Sequence, residues 1–251
     1  MSTETSQPPK KGAWSCYRFG WRKFKRYFLE LFLIAVISVL ASLPMGIPVD
    51  EFLFNDSTFF ILGYLFLLYL PLHYGIDFAF LKASKDESPR VGDILDFFNN
   101  YLSVVAAQLL VSLIVGIGFL LLIVPGIIFM CKLAFVPYLV TYERTDALEA
   151  LRLSWEITEG YSWTIFRIWL LSIPLYLLGI ALVGVGLIFS TMWIGLSYAG
   201  LYYHASEQSD ILQDYHQRKR TYSKSTSRAR REPGKETDQG LPNLLDRGQN
   251  E

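Results

Sequence analysis

Five ionisable side chains stand inside apolar stretches of this sequence: Glu30, His73, Asp77, Lys132 and Arg167. A charge at the centre of a bilayer costs roughly 2.5–3.5 kcal/mol on insertion scales, so each such group is a functional candidate by default. Lys132 is the sharpest of them. It follows Gly126 by six residues, roughly 9 Å along a helix, and its long stem can carry the ammonium to an interface or to an acidic partner. The chemistry it offers is a site for an anionic headgroup or a transported anion; the plainer and favoured reading is a structural ion pair or snorkelling. Arg167 lies six residues past Tyr161. Glu30 and Asp77 fall at similar depth in the first two apolar stretches, so an ion pair of Arg167 with either acid is one expectation, and snorkelling of each to the headgroups is the equal alternative. His73 and Asp77 are four apart and share a helix face. With His204 they suggest a proton relay or a metal site, yet no metal-ligand spacing of the HExxH kind accompanies them. No Ser-His-Asp grouping, phosphate-cradling glycine loop or catalytic carboxylate pair stands out. The expectation is therefore no enzyme, no cofactor and no metal.

The elements that must position these groups read as membrane helices. The chain has 251 residues, 52% of them hydrophobic and 16% aromatic, which is unlike an ordinary soluble domain. An almost unbroken apolar run covers 101–142, about twice the roughly 20 residues that one crossing needs. Pro125 and Gly126 sit near its centre. Proline removes a helix donor and glycine takes positive φ readily, so the pair is expected to mark a tight reversal between two spans. Further spans are expected at 27–45, 59–80, 161–183 and from 187 to about 203, with Gly184 and Gly186 at a second tight turn. Glycines 116, 118, 179, 184, 186 and 195 are expected to permit close helix packing.

Three amphipathic stretches precede these hairpins. In the first, Tyr17, Trp21, Phe24 and Phe28 recur at helical spacing with Arg18, Arg22, Lys25 and Arg26 between them, a pattern suited to a helix in the headgroup region. In the second, Ser88 and Pro89 offer a cap and first turn, with Val91, Ile94, Leu95 and Phe98 on one face. In the third, Asp146 with Glu149 resembles a capping box; Leu148, Leu151 and Trp155 form an apolar stripe, and Gly160 ends the helix. The whole predicts an all-α, polytopic membrane protein: six transmembrane helices as three hairpins, with amphipathic interfacial helices on the cytoplasmic side. Its parts are a basic segment 1–26, a membrane domain 27–205 and a disordered tail 206–251. Whether the three hairpins are a true internal repeat stays open.

Orientation follows from charge. Lys and Arg number seven before residue 27, three in 82–100, two in 143–160 and nine after 205, and the opposite turns hold none. By the positive-inside rule, both termini and both links are cytoplasmic. The two cysteines, Cys16 and Cys131, do not form a disulfide framework. Basic residues at the ends point to anionic membrane lipids as partners, with other membrane proteins next, and not to nucleic acid.

Several segments resemble a family of bacterial multi-pass membrane proteins of uncharacterised function, related to the membrane domain of membrane-anchored glycerophosphoryl diester phosphodiesterases. The residues are 121–128 (LLIVPGII), 135–138 (FVPY), 147–160 (ALEALRLSWEITEG) with Trp163 and Phe166, 179–186 (GIALVGVG), and Pro71 and Leu72 with Gly75. The resemblance covers roughly 14–205 and implies a six-helix protein of the bacterial inner membrane. It implies no mechanism, and nothing in the chain resembles the soluble phosphodiesterase barrel. The leading expectation is a non-enzymatic membrane protein that organises lipid or partner proteins. A small-solute transporter or channel subunit is the alternative, followed by a membrane accessory to lipid metabolism. A transporter should carry a cavity that reaches Lys132; an enzyme should cluster His73 and Asp77 with another acid or base.

Overall fold

The computed structural model describes residues 8–42, 63–181 and 185–231, and every regular element among them is helical. In chain order they are α1 (Ala13–Arg26), α2 (Phe28–Ser42), a π-helical turn (Leu65–Tyr69) running into α3 (Leu70–Ser84), a 3-10 helix (Val91–Asn100) continuing into α4 (Tyr101–Leu121), α5 (Ile123–Lys132), α6 (Val136–Thr141), α7 (Ala147–Ile157), α8 (Ser162–Ala181), α9 (Val185–Glu207) and α10 (Asp210–Arg231). The expected acidic loop at 46–58, the start of the second span and the turn at Gly184 lie outside the described residues.

Among the described residues, three stretches are long and apolar enough to cross a membrane: Val91–Leu121, Ile123–Thr141 and Ser162–Ala181, with mean hydropathies of 2.6, 2.0 and 1.7. A shorter apolar helix covers Phe28–Ala41. Their outer faces carry Leu102, Leu120, Leu121, Leu122, Ile123, Val124, Leu177, Leu178 and Ile180, all largely exposed. A water-soluble monomer does not hold so continuous an apolar surface in contact with water; this one belongs in lipid.

The reversal between α4 and α5 is as tight as expected, but its mechanism differs. The single extended residue is Leu122, and Pro125 and Gly126 lie inside the first turn of α5. Proline fits there because first-turn N–H groups have no helical partner. Gly126 acts through size rather than positive φ. A Cβ on Gly118 would fall 2.9 Å from the Cα of Gly126, and one on Gly126 would fall 2.6 Å from the Phe119 ring. Among the described glycines only Gly160 lies in the left-handed region, with φ of 78°, just past the end of α7, where the sequence indicated a stop. Gly179 and Gly195 also sit under close neighbours, whereas no described residue would come within 4 Å of a Cβ on Gly116.

The interior is organised about α9 and α3. Helix α1 lies along α9: a Cβ on Gly20 would fall 3.0 Å from Ser197 Oγ, and Trp193 Nε1 donates to the Tyr17 carbonyl at 2.8 Å. Tyr17 Oη donates in turn to the Ile168 carbonyl of α8 at 3.1 Å. Tyr17 and Phe24 are buried, while Trp21 and Phe28 are exposed, so the expected aromatic stripe is divided between two environments. Helix α3 packs on the 3-10 helix through Gly75, whose position leaves room only for hydrogen beside the backbone carbonyl of Ile94.

The links differ from expectation in detail. The 3-10 helix is capped by Asp93, whose Oδ2 accepts from Arg90 N at 2.7 Å, and not by Ser88. Its tighter period, in which side chains three apart eclipse, buries Ile94 with Phe97 and exposes Leu95 with Phe98; Val91, at its start, is exposed as well. In α7, Asp146 occupies the cap position without a side-chain cap bond. The buried face is Ala150, Leu153, Ser154 and Ile157; Leu148 and Trp155 of the expected apolar stripe are exposed instead. The chain also stays helical beyond the expected start of the tail, through Arg231, with an Asp214–Arg218 pair at 3.2 Å one turn apart. From Leu212 onward this helix forms a unit of its own.

Candidate functional site

The fifth helix breaks before it finishes. Residues 133–135 are turn between α5 and α6, and such a break strands backbone donors and acceptors that an apolar setting penalises. The third link supplies the remedy. Ser154 Oγ donates to the Lys132 carbonyl at 2.8 Å and accepts from Phe135 N at 3.3 Å, and Thr158 Oγ1 reaches the same carbonyl at 3.2 Å. Ser154 and Thr158 are fully buried. The polar positions of the 147–160 motif are therefore stitches that hold the broken helix open. Ser154→Ala strips the Phe135 N–H of this partner; it should cost roughly 1–3 kcal/mol, read as an earlier midpoint in detergent-driven unfolding, with Ser154→Thr nearer the parent.

The break positions one wall of a cavity of about 270 Å³ inside the bundle. Ala134 and Tyr138 come from the break and α6, Ala35 and Ser38 from α2, His73, Ile76, Asp77 and Phe80 from α3, Tyr176 from α8, and Thr191, Ile194, Gly195 and Tyr198 from α9. Gly195 allows the Phe80 ring to lie against α9; a Cβ there would come within 2.5 Å of it. Among the described residues, the lining has one carboxylate, Asp77, and no Lys or Arg. His73 meets the edge of Tyr69 at 5.1 Å, and Tyr138 stacks on Tyr202 at 4.9 Å. Asp77, His73, Tyr138, Tyr176 and Tyr198 make no hydrogen bond or ion pair with any described residue. Polar groups inside an apolar bundle normally find partners; here Tyr138 is buried, Asp77, His73 and Tyr198 are half-buried and Tyr176 is exposed, and all five line the same space.

The five candidates from the sequence thus separate. Asp77 and His73 meet at the cavity. Lys132 is not in its lining: its ammonium lies over the Trp155 ring at 5.4 Å, a cation–π contact at the junction with α7. The same contact accounts for Trp155 facing outward. Arg167 has its guanidinium 5.6 Å from the Trp163 ring and pairs with neither Asp77 nor Glu30 among the described residues. Glu30 is exposed in the first turn of α2, where a carboxylate suits the positive end of the helix. His204 stands edge-on to Tyr161 at 5.8 Å, apart from His73. No group of three or more His, Cys, Asp or Glu that could hold a metal occurs among the described residues.

Sequence reasoning passed over the tyrosines and one buried cation. Three tyrosines from three helices share the cavity with one acid, a grouping that no spacing along the chain reveals. Lys23 of α1 is 3% exposed, and its ammonium lies 2.7 Å from Asp86, just past the end of α3. Burial pushes its pKa down and Asp86 opposes that shift. Arg26 joins the same carboxylate at 2.9 Å, and Lys82 pairs with Asp93 at 3.0 Å. Lys85 lies 3.9 Å from the centre of the Tyr142 ring, with its pKa lowered by burial against the pull of Glu143 and Glu87. These charges cluster around the C-terminal end of α3, five or more residues from Asp77 along the sequence. Compared with known proteins, the chain matches no family model, no curated protein and no solved structure.

Proposed function

We propose that this is a multi-pass protein of the bacterial inner membrane that binds and passes on a small solute, without covalent chemistry, at the cavity around Asp77. In this reading the chain crosses the bilayer six times as three hairpins. Both termini, α1, the 3-10 helix and α7 lie on the cytoplasmic side, and the protein belongs with the family its sequence resembles. The observation that carries the reading is the convergence of Asp77, His73, Tyr138, Tyr176 and Tyr198, without a hydrogen bond or ion pair among the described residues, on a cavity of about 270 Å³ between apolar helices. Ligand sites are concave, mostly apolar and furnished with a few convergent polar groups; a polar group in a membrane interior is otherwise costly. Lys132 has no part in this site, so a role for it in carrying anions is not retained.

A second reading has its own support. Trp14, Arg18, Trp21, Arg22 and Lys25 project from one exposed face of α1. That face mixes indole rings and cations as an interfacial helix does on anionic lipid, and it favours a lipid-organising role beside solute binding.

The test is flux. Proteoliposomes holding the full chain should take up some member of a panel of small polar solutes faster than empty vesicles, and Ser38→Phe, which fills the cavity, should abolish the difference. Uptake unchanged by Ser38→Phe would remove the cavity from the pathway. A reporter fused after Glu251 and active only on the outer side would overturn the orientation.

A further inference from the structure

We propose that the ligand of the Asp77 cavity is a small organic monocation of the ammonium class. This inference rests on the reading of the cavity as a solute site and adds the charge and size of what it takes. Four observations carry it. Asp77 is the only carboxyl group among the described residues of the lining, and those residues include no Lys or Arg. No described residue gives it a hydrogen bond or an ion pair. An ionised carboxylate accepts and cannot donate, and away from water it requires a cation or several donors. The rest of the lining is what an alkylammonium ion prefers: the rings of Tyr138, Tyr176, Tyr198 and Phe80, with Ile76 and Ile194 between them. Aromatic faces attract such cations, most strongly where water is excluded. Finally, about 270 Å³ is below the range of roughly 300–1,000 Å³ usual for drug-sized ligands. The occupant is therefore an ion of a few heavy atoms, with its charge on Asp77 and its methyl or methylene groups against the rings.

His73 is the other titratable group on α3 that lines the space, and the hydroxyls of Ser38 and Thr191 stand across it on α2 and α9. A primary ammonium has three donors to share among such acceptors; a quaternary one has none and relies on the rings and on Asp77. The pair of probes follows from that difference.

The experiment measures equilibrium binding to the full-length chain in lipid nanodiscs with tetramethylammonium, butylammonium, tert-butanol as the neutral probe, and acetate as the anion. Saturable binding of at least one ammonium probe is expected, with no saturation by acetate and at least tenfold weaker binding of tert-butanol. Asp77→Asn should weaken ammonium binding tenfold or more while the variant still elutes as a single species. Tyr138→Phe, which keeps the ring, should change it less than threefold. Two results overturn the proposal. Saturable binding of tert-butanol or acetate that Ser38→Phe removes and Asp77→Asn spares would keep the solute site and reject the cationic ligand. Binding of no probe, together with solute uptake indifferent to Ser38→Phe, would reject the site as well.

Discussion

Gly75→Ala should leave almost no correctly folded protein. The added methyl would fall on the backbone carbonyl of Ile94, where α3 meets the 3-10 helix. Backbone cannot step aside as a flexible side chain can. Overpacking typically costs 1–3 kcal/mol even where side chains relax, so about 3 kcal/mol is a floor at this position. The expected result is aggregation or a broad, early peak on size exclusion after detergent extraction, with little material at the parent position. Gly116→Ala is the control. No described residue would come within 4 Å of a Cβ there, and alanine is the better helix former by up to about 1 kcal/mol. It should match or slightly exceed the parent in yield and thermal midpoint. Equal yields from the two variants would mean that α3 and the 3-10 helix do not meet as described.

The second large effect is electrostatic. Asp86→Asn should destabilise the fold by about 3 kcal/mol, because it removes the carboxylate against which the buried Lys23 is held at 2.7 Å. Removing one member of a buried pair typically costs 3–5 kcal/mol, most of it the burden of the charge left behind. The Arg26 contact to the same carboxylate contributes little of this, since Arg26 is half exposed. Asparagine is the right replacement because Asp86 has φ of 61°, a conformation that asparagine tolerates and most residues do not. Lys23→Met combined with Asp86→Asn should recover most of the loss, which a purely local effect of the turn would not allow. The pH dependence has a definite sign. Lys23 titrates below its ordinary value of 10.5 in the fold because of burial, with Arg22 and Arg26 adding to the depression and Asp86 resisting it. Loss of Asp86 lowers it further. A cation whose folded pKa is depressed weakens the fold fully below that pKa, and the penalty fades as pH rises toward 10.5. The gap between the unfolding midpoints of Asp86→Asn and parent should therefore narrow from pH 7 to pH 9.5.

The two variants touch features that differ in how far the sequence disclosed them. Long apolar helices were legible because their signal is local. The spans expected at 101–123 and 161–183 are α4 and α8 within two residues at each end, and Gly160 is a helix stop by its φ. What escaped was set by neighbours distant in sequence. The break at 133–135 is marked locally by Pro137 in the first turn of α6, but the hydrogen bonds that hold it come from Ser154 and Thr158 some 20 positions away. Hydroxyls on the buried side of α7 were the available clue, and the apolar stripe drawn through Leu148 and Trp155 hid it. The Ile94 carbonyl over Gly75 likewise belongs to another element. Of the candidate site, Asp77 and His73 were visible as charge and imidazole among apolar residues. Tyr138, Tyr176 and Tyr198 read as ordinary membrane aromatics until three helices brought them together. Lys132 ends α5, and its ammonium lies over the Trp155 ring of α7, a neighbour 23 positions on that no spacing within its own helix discloses.

The two thiols have a practical consequence. Cys16 is wholly enclosed between α1 and its neighbours, with its pKa pushed up to about 12 by burial, and Cys131 is buried too. Maleimides require an accessible thiolate, so the native chain is silent to them while it stays folded. A cysteine introduced at the surface can be labelled without first deleting the natural pair, and the sudden uptake of two extra labels on heating would time the opening of the bundle from within.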